Sequence, residues 1–460
     1  MPSRKVTLCN ISVDPPMVRV RNVVDINIHF TIPIRIKAWG CIQVRVHGKR
    51  RNKNNWYPIQ VEHPVKPNYG QLLVDRENHT RDEEAFLPII ESRYATMVTF
   101  RLMEDLPAGT PLVFQMRKTT IQSVSESNKE FEILVAKDSI ANARPVANNP
   151  TMEIKGGMFD HVRILASSNA SPGQDIDALI IFEDQFNNPT SLGIPTTASQ
   201  GSTMTSSIMV QGKSTMIQKE GKLKVMYREN DGATVKVRLP GALLEGIYYN
   251  MDVSSNDYIF SWIGFTVHLG DESREKTFWS NPILVHSTRT GEQRESISWG
   301  LLHAHSELSD GMFSIDHYFR NIKKNMLAFG ASSDHDHLFE TTDADFDEIR
   351  AAVKRHDDPR GGFVAFLGYE WAKWNKNGDG DKCVYFFDDV KAMLRSGDPA
   401  FNRSTKLYAA LERFNNKVLI IPHHTAFEGN PCTWEHWDPV HERLVEIYSI
   451  WGCSERSVHD

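Results

Sequence analysis

The sequence predicts a chain of two parts: a sandwich-like, all-β region over residues 1–295, and an α/β region with the alternation of a (β/α) barrel over residues 296–460. Two observations predict this fold class. Short segments of the first part alternate apolar and polar residues between Gly, Pro and Asn, as half-buried strands of sandwich domains do. In the second part, continuous apolar runs alternate with segments of helical periodicity, which indicates a parallel sheet covered on both faces.

The β-rich part is predicted to hold two domains. Alternating segments such as 18–23 and 42–46 indicate strands in the first. A stretch rich in Asn, Pro and Ala over 141–150 has no period and predicts a boundary. We therefore expect a β-rich domain over 1–148 and an immunoglobulin-like β-sandwich over 149–295, whose segment 183–189 resembles the strand-to-turn phrase of bacterial immunoglobulin-like modules.

The α/β part is predicted to contain six strands separated by three helices. The predicted strands are 300–305, 326–332, 363–370, 383–387, 418–424 and 444–449, and the predicted helices are 315–324, 344–354 and 407–414. Five of the six strands carry or lead directly into His, Asp or Glu. Because the carboxyl ends of barrel strands open at one mouth, this pattern predicts a metal site there.

The residue types at these strand ends suit divalent metal ions. A His-x-His pair in extended chain, here His303 and His305, places both imidazoles on one side because the strand period is two. Imidazole is a common ligand of Zn and Fe, whereas carboxylate suits Mn and Mg.

Four motifs together resemble the polymerase and histidinol phosphatase (PHP) superfamily of metal-dependent hydrolases, in particular a branch with β-rich sequence before the hydrolase domain. The motifs are His303-Ala304-His305 with Ser309-Asp310-Gly311, then Ser333-Asp334-His335-Asp336, Gly368-Tyr369-Glu370-Trp371 and Ile421-Pro422-His423-His424. The resemblance covers about 298–460. It implies a distorted (β/α)7 barrel, here incomplete at its C-terminal end, that holds two or three divalent ions of Zn, Mn or Fe.

The resemblance also implies a role for each matching residue. The implied metal ligands are His303, His305, Asp310, His335, Glu370, Asp381 and His423, with Asp381 standing where relatives often have an imidazole. Three residues form the candidate catalytic group: Glu370 bridging ions, Asp334 orienting His335, and His337 contacting substrate, with His424 as a further candidate. The family's late Asp-x-His motif is not reached before Asp460, so we expect either a native protein that continues or a degenerate barrel.

These residues predict a metal-dependent hydrolase, phosphoesterase-like, that uses a metal-activated water on a small-molecule substrate. Amide or carboxylic ester hydrolysis on the same ions is an alternative, and so is a non-catalytic β-sandwich binding protein with a remnant barrel. The sequence contains no dinucleotide-binding motif and no phosphate-loop motif, so it predicts no organic cofactor. The oligomeric state is left open.

Composition limits the classes of partner and the cellular compartment that the sequence predicts. A net charge of −6 with a pI near 6.3 argues against a nucleic-acid partner, which usually requires a basic surface. No run approaches the roughly 20 apolar residues of a membrane span. Five scattered cysteines without Cys-x-x-Cys spacing, and an N-terminus without a signal-peptide pattern, predict a cytoplasmic protein.

Overall fold

A computed structural model describes most of the chain. The described residues are 5–46, 59–75, 85–89, 97–171, 173–190, 204–211, 216–220, 224–228, 233–239, 259–268, 275–285, 297–373, 379–414, 417–425, 427, 429–432, 434–449 and 452–455. The chain divides into two compact units, an N-terminal unit Met1–Glu295 and a C-terminal unit Ser296–Asp460.

The first half of the N-terminal unit is built from short strands. They are β1 Cys9–Asp14, β2 Met17–Arg19, β3 Val23–Thr31, β4 Cys41–Arg45, β5 Tyr69–Val74, β6 Phe86–Ile89, β7 Met97–Leu102, β8 Pro111–Thr120, β9 Glu126–Glu130, β10 Glu132–Ala136, β11 Arg144–Pro145 and β12 Thr151–Lys155. They form a four-stranded sheet of order β1-β3-β8-β5, a five-stranded sheet of order β11-β10-β4-β7-β6, and a small sheet of order β2-β12-β9.

The two larger sheets share one apolar core. Ile28 and Phe114 of the four-stranded sheet belong to the same buried cluster as Val44 and Phe100 of the five-stranded sheet. The rings of Phe100 and Phe114 meet edge to face, with centroids 5.7 Å apart. Apolar residues alternate with polar ones along β4 and β7 because successive side chains point to opposite faces of the sheet, and the polar residues Gln43 and Thr99 on the other face are buried as well. β12, which follows the predicted boundary at 148, pairs with β2 and β9 and contributes to this same core.

The remaining strands of the N-terminal unit form two further sheets. They are β13 Phe159–Ala166, β14 Asn169–Ala170, β15 Ile176–Asp184, β16 Met204–Gln211, β17 Met216–Glu220, β18 Lys224–Arg228, β19 Thr234–Leu239, β20 Ile259–His268, β21 Glu275–Trp279 and β22 Ile283–Val285. One sheet has the order β13-β15-β19-β18; the other has the order β14-β22-β20-β16-β17, with β21 paired to β20. The division at 148 and the immunoglobulin-like assignment stay predictions.

The described residues of the C-terminal unit form three helices and several short strands. The helices are α1 Ile315–Lys324, α2 Asp343–His356 and α3 Ser404–Leu411, and the strands are β23 Gly300–Leu301, β24 Phe329–Gly330, β25 Val364–Ala365, β26 Leu367–Trp371, β27 Lys382–Phe386, β28 Val418–Pro422, β29 Tyr448–Ser449 and β30 Gly452–Cys453. The sheets have the orders β23-β24-β25, β26-β27-β28 and β29-β30.

The predicted (β/α)7 barrel, complete or incomplete, is wrong. The protein is predominantly β, in small sheets, and its described residues form no α/β barrel. β23, β24 and β25 pair in parallel, but each has only two residues, and β26, β27 and β28 pair antiparallel. Residues 372–381 alone join β26 to β27. This connection is shorter than the crossover of a dozen or more residues that parallel pairing needs.

The continuous apolar runs led to the wrong prediction of parallel pairing for a physical reason. β26 and β27 are buried at every position. An antiparallel strand that is covered on both faces has the same continuous apolar sequence as a parallel one, so the pattern alone does not distinguish the two pairings.

Helices α1 and α2 are fixed by their caps and by one apolar face. The Ser314 side chain accepts a hydrogen bond from the His317 backbone N–H at the start of α1, and Thr342 forms a capping box with Asp345 at the start of α2. Phe319 of α1 belongs to the same buried cluster as residues of α2, β26 and β27. The helices therefore hold the strands whose ends carry the candidate site.

No described helix is long and apolar enough to cross a membrane. The longest, α2, has 14 residues.

Candidate metal centre

Neighbouring chain segments bring the predicted site residues together. Past the short parallel strands, neighbouring segments stay side by side: the Ser333 N–H donates to the Ala304 carbonyl, and His335 forms a parallel bridge with Glu370 of β26. Further along the row, the His423 N–H donates to the Asp381 carbonyl, beyond the β27–β28 pair. Each segment therefore carries its acids and imidazoles to the same edge.

Glu370 lies at the centre of the group. Its side chain is 2 % exposed, and its Oε2 atom lies 3.3 Å from His303 Nε2, 3.2 Å from His305 Nε2 and 3.7 Å from His335 Nε2. Three imidazole nitrogens from two segments thus converge on one oxygen of a buried carboxylate.

A second cluster surrounds His305 and His335. Asp310 Oδ1 lies 3.0 Å from His305 Nδ1 and 3.9 Å from His335 Nδ1. The two imidazole rings are 4.6 Å apart between centroids. The Asp310 side chain is 56 % exposed, so solvent reaches this cluster.

Glu446 closes the other side of the centre. Its Oε2 atom is 2.7 Å from His303 Nδ1 and 2.9 Å from His423 Nδ1. The Sγ atom of Cys383, a ring nitrogen of His303 and a carboxylate oxygen of Glu446 all lie within 4.8 Å of one another.

Asp381 and His424 form a fourth, fully buried cluster with Glu370. Asp381 Oδ2 lies 3.4 Å from His424 Nε2, and its Oδ1 accepts a hydrogen bond from the Lys373 backbone N–H. Ligand-type atoms of Glu370, Asp381 and His424 fall within 4.8 Å of one another. Asp381, predicted to replace an imidazole, is therefore beside the centre.

Imidazole and carboxylate atoms of the centre lie close together. His335 Nδ1 is 3.0 Å from Glu340 Oε2, and His423 Nδ1 is 2.9 Å from Glu446 Oε2. Asp381 Oδ2 is buried and makes no hydrogen bond. Because buried polar atoms normally find hydrogen-bond partners, this oxygen is a candidate ligand of an ion.

Two of the predicted catalytic residues have structural contacts of their own. Asp334 Oδ1 accepts hydrogen bonds from the Ser306 backbone N–H and the Ser309 hydroxyl, each 2.7 Å long. Ser309 in turn lies 3.3 Å from His305 Nδ1, so Asp334 positions His305 through this turn. The His337 Nε2–H donates to the Ala372 carbonyl at 3.0 Å, which fixes that ring beside the centre rather than in it.

The charges of the centre balance one another. Burial alone would raise the pKa of Glu370, but His303, His305 and His335 hold it well below its ordinary range. The pKa of Glu446 is likewise lowered to about 2 against the effect of burial, by His303 and His423. Burial opposes protonation of His305, yet Asp310 and Glu370 raise its pKa to about 10. The buried carboxylates thus favour positive charge in this space, which a divalent cation would also supply.

The structure adds site residues that the sequence did not single out. Glu340 Oε2 lies 3.0 Å from His335 Nδ1 and 3.4 Å from His337 Nδ1, and the two imidazoles lower its pKa to about 2 although burial acts to raise it. Its place five residues after His335 was the one available signal. Cys383 and Glu446 lie on predicted strands but are not in the predicted ligand set, because contacts between distant segments are not visible in a sequence.

Comparison with known proteins does not identify a function. No family model matches the chain. The chain is 24 % identical over 315 residues to a protein of Chlamydia trachomatis serovar D, and that match covers 67 % of this chain and 44 % of the relative. A Chlamydia pneumoniae protein is 22 % identical over 312 residues, covering 66 % of this chain and 43 % of the relative. Both are named only as uncharacterized, and the matched region spans less than half the length of each.

Proposed function

We propose that the C-terminal unit is a metal-dependent hydrolase of the phosphoesterase type. The observation that carries the proposal is the convergence of three imidazole Nε2 atoms on one oxygen of the buried Glu370 carboxylate. Imidazole nitrogens and carboxylate oxygens that lie within 4.8 Å of one another form a donor set suited to Zn, Fe or Mn.

Three groups would hold the ions. They are His303, Glu370 and His423; His305, Asp310 and His335; and Glu370, Asp381 and His424. Glu370 belongs to two of them, which favours a bridging role. A divalent ion bound here would lower the pKa of a water molecule and offset charge on an attacked phosphoryl or acyl oxygen.

Asp310 is a candidate ligand that is open to solvent. Its hydrogen bond with His305 lowers the pKa of the carboxyl, so the group is ionised near neutral pH. At 56 % exposure it is open to solvent, whereas Glu370 is buried. We assign to Asp310 a ligand role on the solvent side of the centre, and to Glu340 the positioning of His335.

The choice of phosphoester substrates depends on the resemblance of the four motifs to the PHP superfamily. That relationship is proposed on the motif residues alone. Amide or carboxylic ester hydrolysis on the same ions is the alternative within enzymes. A small-molecule substrate, with no nucleic-acid partner, and a cytoplasmic location complete the proposal.

Metal analysis and turnover test the proposal directly. The full chain, purified without chelator, is expected to hold at least about one equivalent of transition metal and to hydrolyse a generic aryl phosphate. The double variant His303→Ala, His305→Ala should lose the turnover and the metal of the groups that contain these two residues, and should keep only the metal held by Glu370, Asp381 and His424. His317→Ala, an exposed imidazole on α1, is the matched control and should change neither.

The outcomes separate the candidate functions. Metal well below one equivalent after reconstitution with Zn²⁺, Mn²⁺ and Fe²⁺ would overturn the proposal in favour of a binding protein with a remnant site. Full metal content with hydrolysis of aryl esters or amides, but not of phosphate esters, would assign the alternative chemistry to the same residues.

A further inference from the structure

Cys383 occupies an unusual position for a buried cysteine. It lies on β27 directly opposite Glu370 of β26 in the antiparallel register, and it is 1 % exposed. Its neighbours towards the centre are His303 and Glu446, whose ligand-type atoms lie within 4.8 Å of the sulfur and of each other. Three chain segments thus present one sulfur, one nitrogen and one oxygen to a common space.

Packing alone does not account for this environment. A buried cysteine normally behaves as a small apolar side chain. Cys41 of β4 fits that description: it is fully buried, and among the described residues it belongs to no group of potential metal ligands. Cys383 is buried to the same degree but beside an imidazole and a carboxylate, which are partners of a ligand rather than of a packing residue.

We propose that Cys383 is a thiolate ligand, with His303 and Glu446, of one ion in the centre, and that the centre therefore takes Zn²⁺ or Fe²⁺ in preference to Mn²⁺ or Mg²⁺. This inference rests on the proposed function in so far as that function requires the centre to hold metal. Thiolate is a soft ligand that selects Zn over the hard cations, and a Cys, His and carboxylate set leaves a fourth position of a tetrahedral Zn site open.

Ligation would exchange a proton for the ion. The S–H bond of Cys383 breaks, the electron pair stays on sulfur and forms the bond to the ion, and the proton passes to solvent. No electron transfer is involved. Glu446 contacts both His303 Nδ1 and His423 Nδ1, so it would link this ion to the group around Glu370.

Cobalt(II) substitution of the full chain tests the assignment. Wild-type protein loaded with Co²⁺ is expected to show a thiolate-to-cobalt charge-transfer band in the near ultraviolet. Cys383→Ser should abolish the band and weaken Zn²⁺ binding by about tenfold or more, since even partners outside the ligand set change metal affinity by 10- to 100-fold. Cys453→Ser, a partly exposed cysteine on β30 of the same unit, should retain both.

The possible results distinguish this inference from the proposed function. Co²⁺ bound at the wild-type stoichiometry without a charge-transfer band would overturn the assignment of Cys383 and leave the hydrolase intact. Wild-type protein that binds neither Co²⁺ nor Zn²⁺ would overturn both. If Cys383→Ser does not fold, X-ray absorption of the wild-type Zn²⁺ protein decides: a sulfur scatterer near 2.3 Å supports the assignment, and a shell of only nitrogen and oxygen overturns it.

Discussion

Replacing Glu370 with Gln is the sharpest single perturbation of the centre. The carboxylate is common to two of the three proposed ligand groups, so its loss should remove more than one ion. Gln keeps the volume of the side chain and one acceptor oxygen but removes the negative charge that the surrounding imidazoles face. We therefore expect Glu370→Gln to lose both ions of these groups, whereas Asp310→Asn loses one.

The magnitude follows from mass action. Free Zn²⁺ at about 100 times the dissociation constant of one site stabilises the folded protein by about 2.7 kcal/mol. The C-terminal unit has roughly 165 residues, and in domains of about 150–250 residues 1 kcal/mol changes the Tm by about 2–4 °C. Each ion should therefore raise the Tm of this unit by about 5–11 °C.

The assay is a thermal melt of each variant with Zn²⁺ and with chelator, alongside metal content by mass spectrometry. Comparing each variant with its own metal-free melt removes any direct effect of the substitution on folding. In Glu370→Gln, the increase in Tm caused by Zn²⁺ should be no larger than the increase contributed by the one ion held by His305, Asp310 and His335. An undiminished rise, with unchanged metal content, would refute the central role given to Glu370.

Three further predictions concern the support of the site and the pH dependence of stability. Asp334→Asn weakens the bonds to the two serines of the preceding turn and should cost about 1–3 kcal/mol in urea unfolding, with metal still bound; an unchanged midpoint would contradict its positioning role. Glu442→Gln keeps an acceptor oxygen but removes the negative charge that lies 2.7 Å from the buried Lys382 ammonium, and should cost about 3–5 kcal/mol, most of it recovered in the double variant Lys382→Met, Glu442→Leu. Arg350 holds the pKa of Asp389 at about 2, below its unfolded value, so this contribution to stability is complete above about pH 4 and is lost as pH falls towards 2; Asp389→Asn should flatten the acid limb of the stability curve, and an identical limb would count against it.

The local structure of the C-terminal unit was largely predictable from sequence. The predicted helix 315–324 coincides with α1, and the predicted helix 344–354 lies within α2. Both carry a cap residue and a regular apolar face, which are signals that depend only on nearby residues. The last predicted helix, 407–414, overlaps the end of α3 and covers the 3₁₀ turn that follows it.

The pairing of strands was not predictable in the same way. The segment 300–305 was expected to be one strand, yet only Gly300 and Leu301 pair as β23, and His303 and His305 follow it without belonging to a strand. Pairing direction depends on the length of connections and on partners far away in the chain, not on the apolar pattern of a single segment.

The clustering of candidate ligands does not require the barrel from which it was inferred. Two neighbouring extended segments suffice to bring His335 beside Glu370, because an isolated parallel bridge joins those residues. The antiparallel register then sets Cys383 opposite Glu370, and the backbone bond from His423 to Asp381 extends the row by one more segment. What the site needs is side-by-side extended chain with the ligands in register, and parallel or antiparallel neighbours supply that equally. The residue types at the ends of the apolar runs therefore predicted which side chains lie close together. They did not predict the pairing of the strands that brings those side chains together.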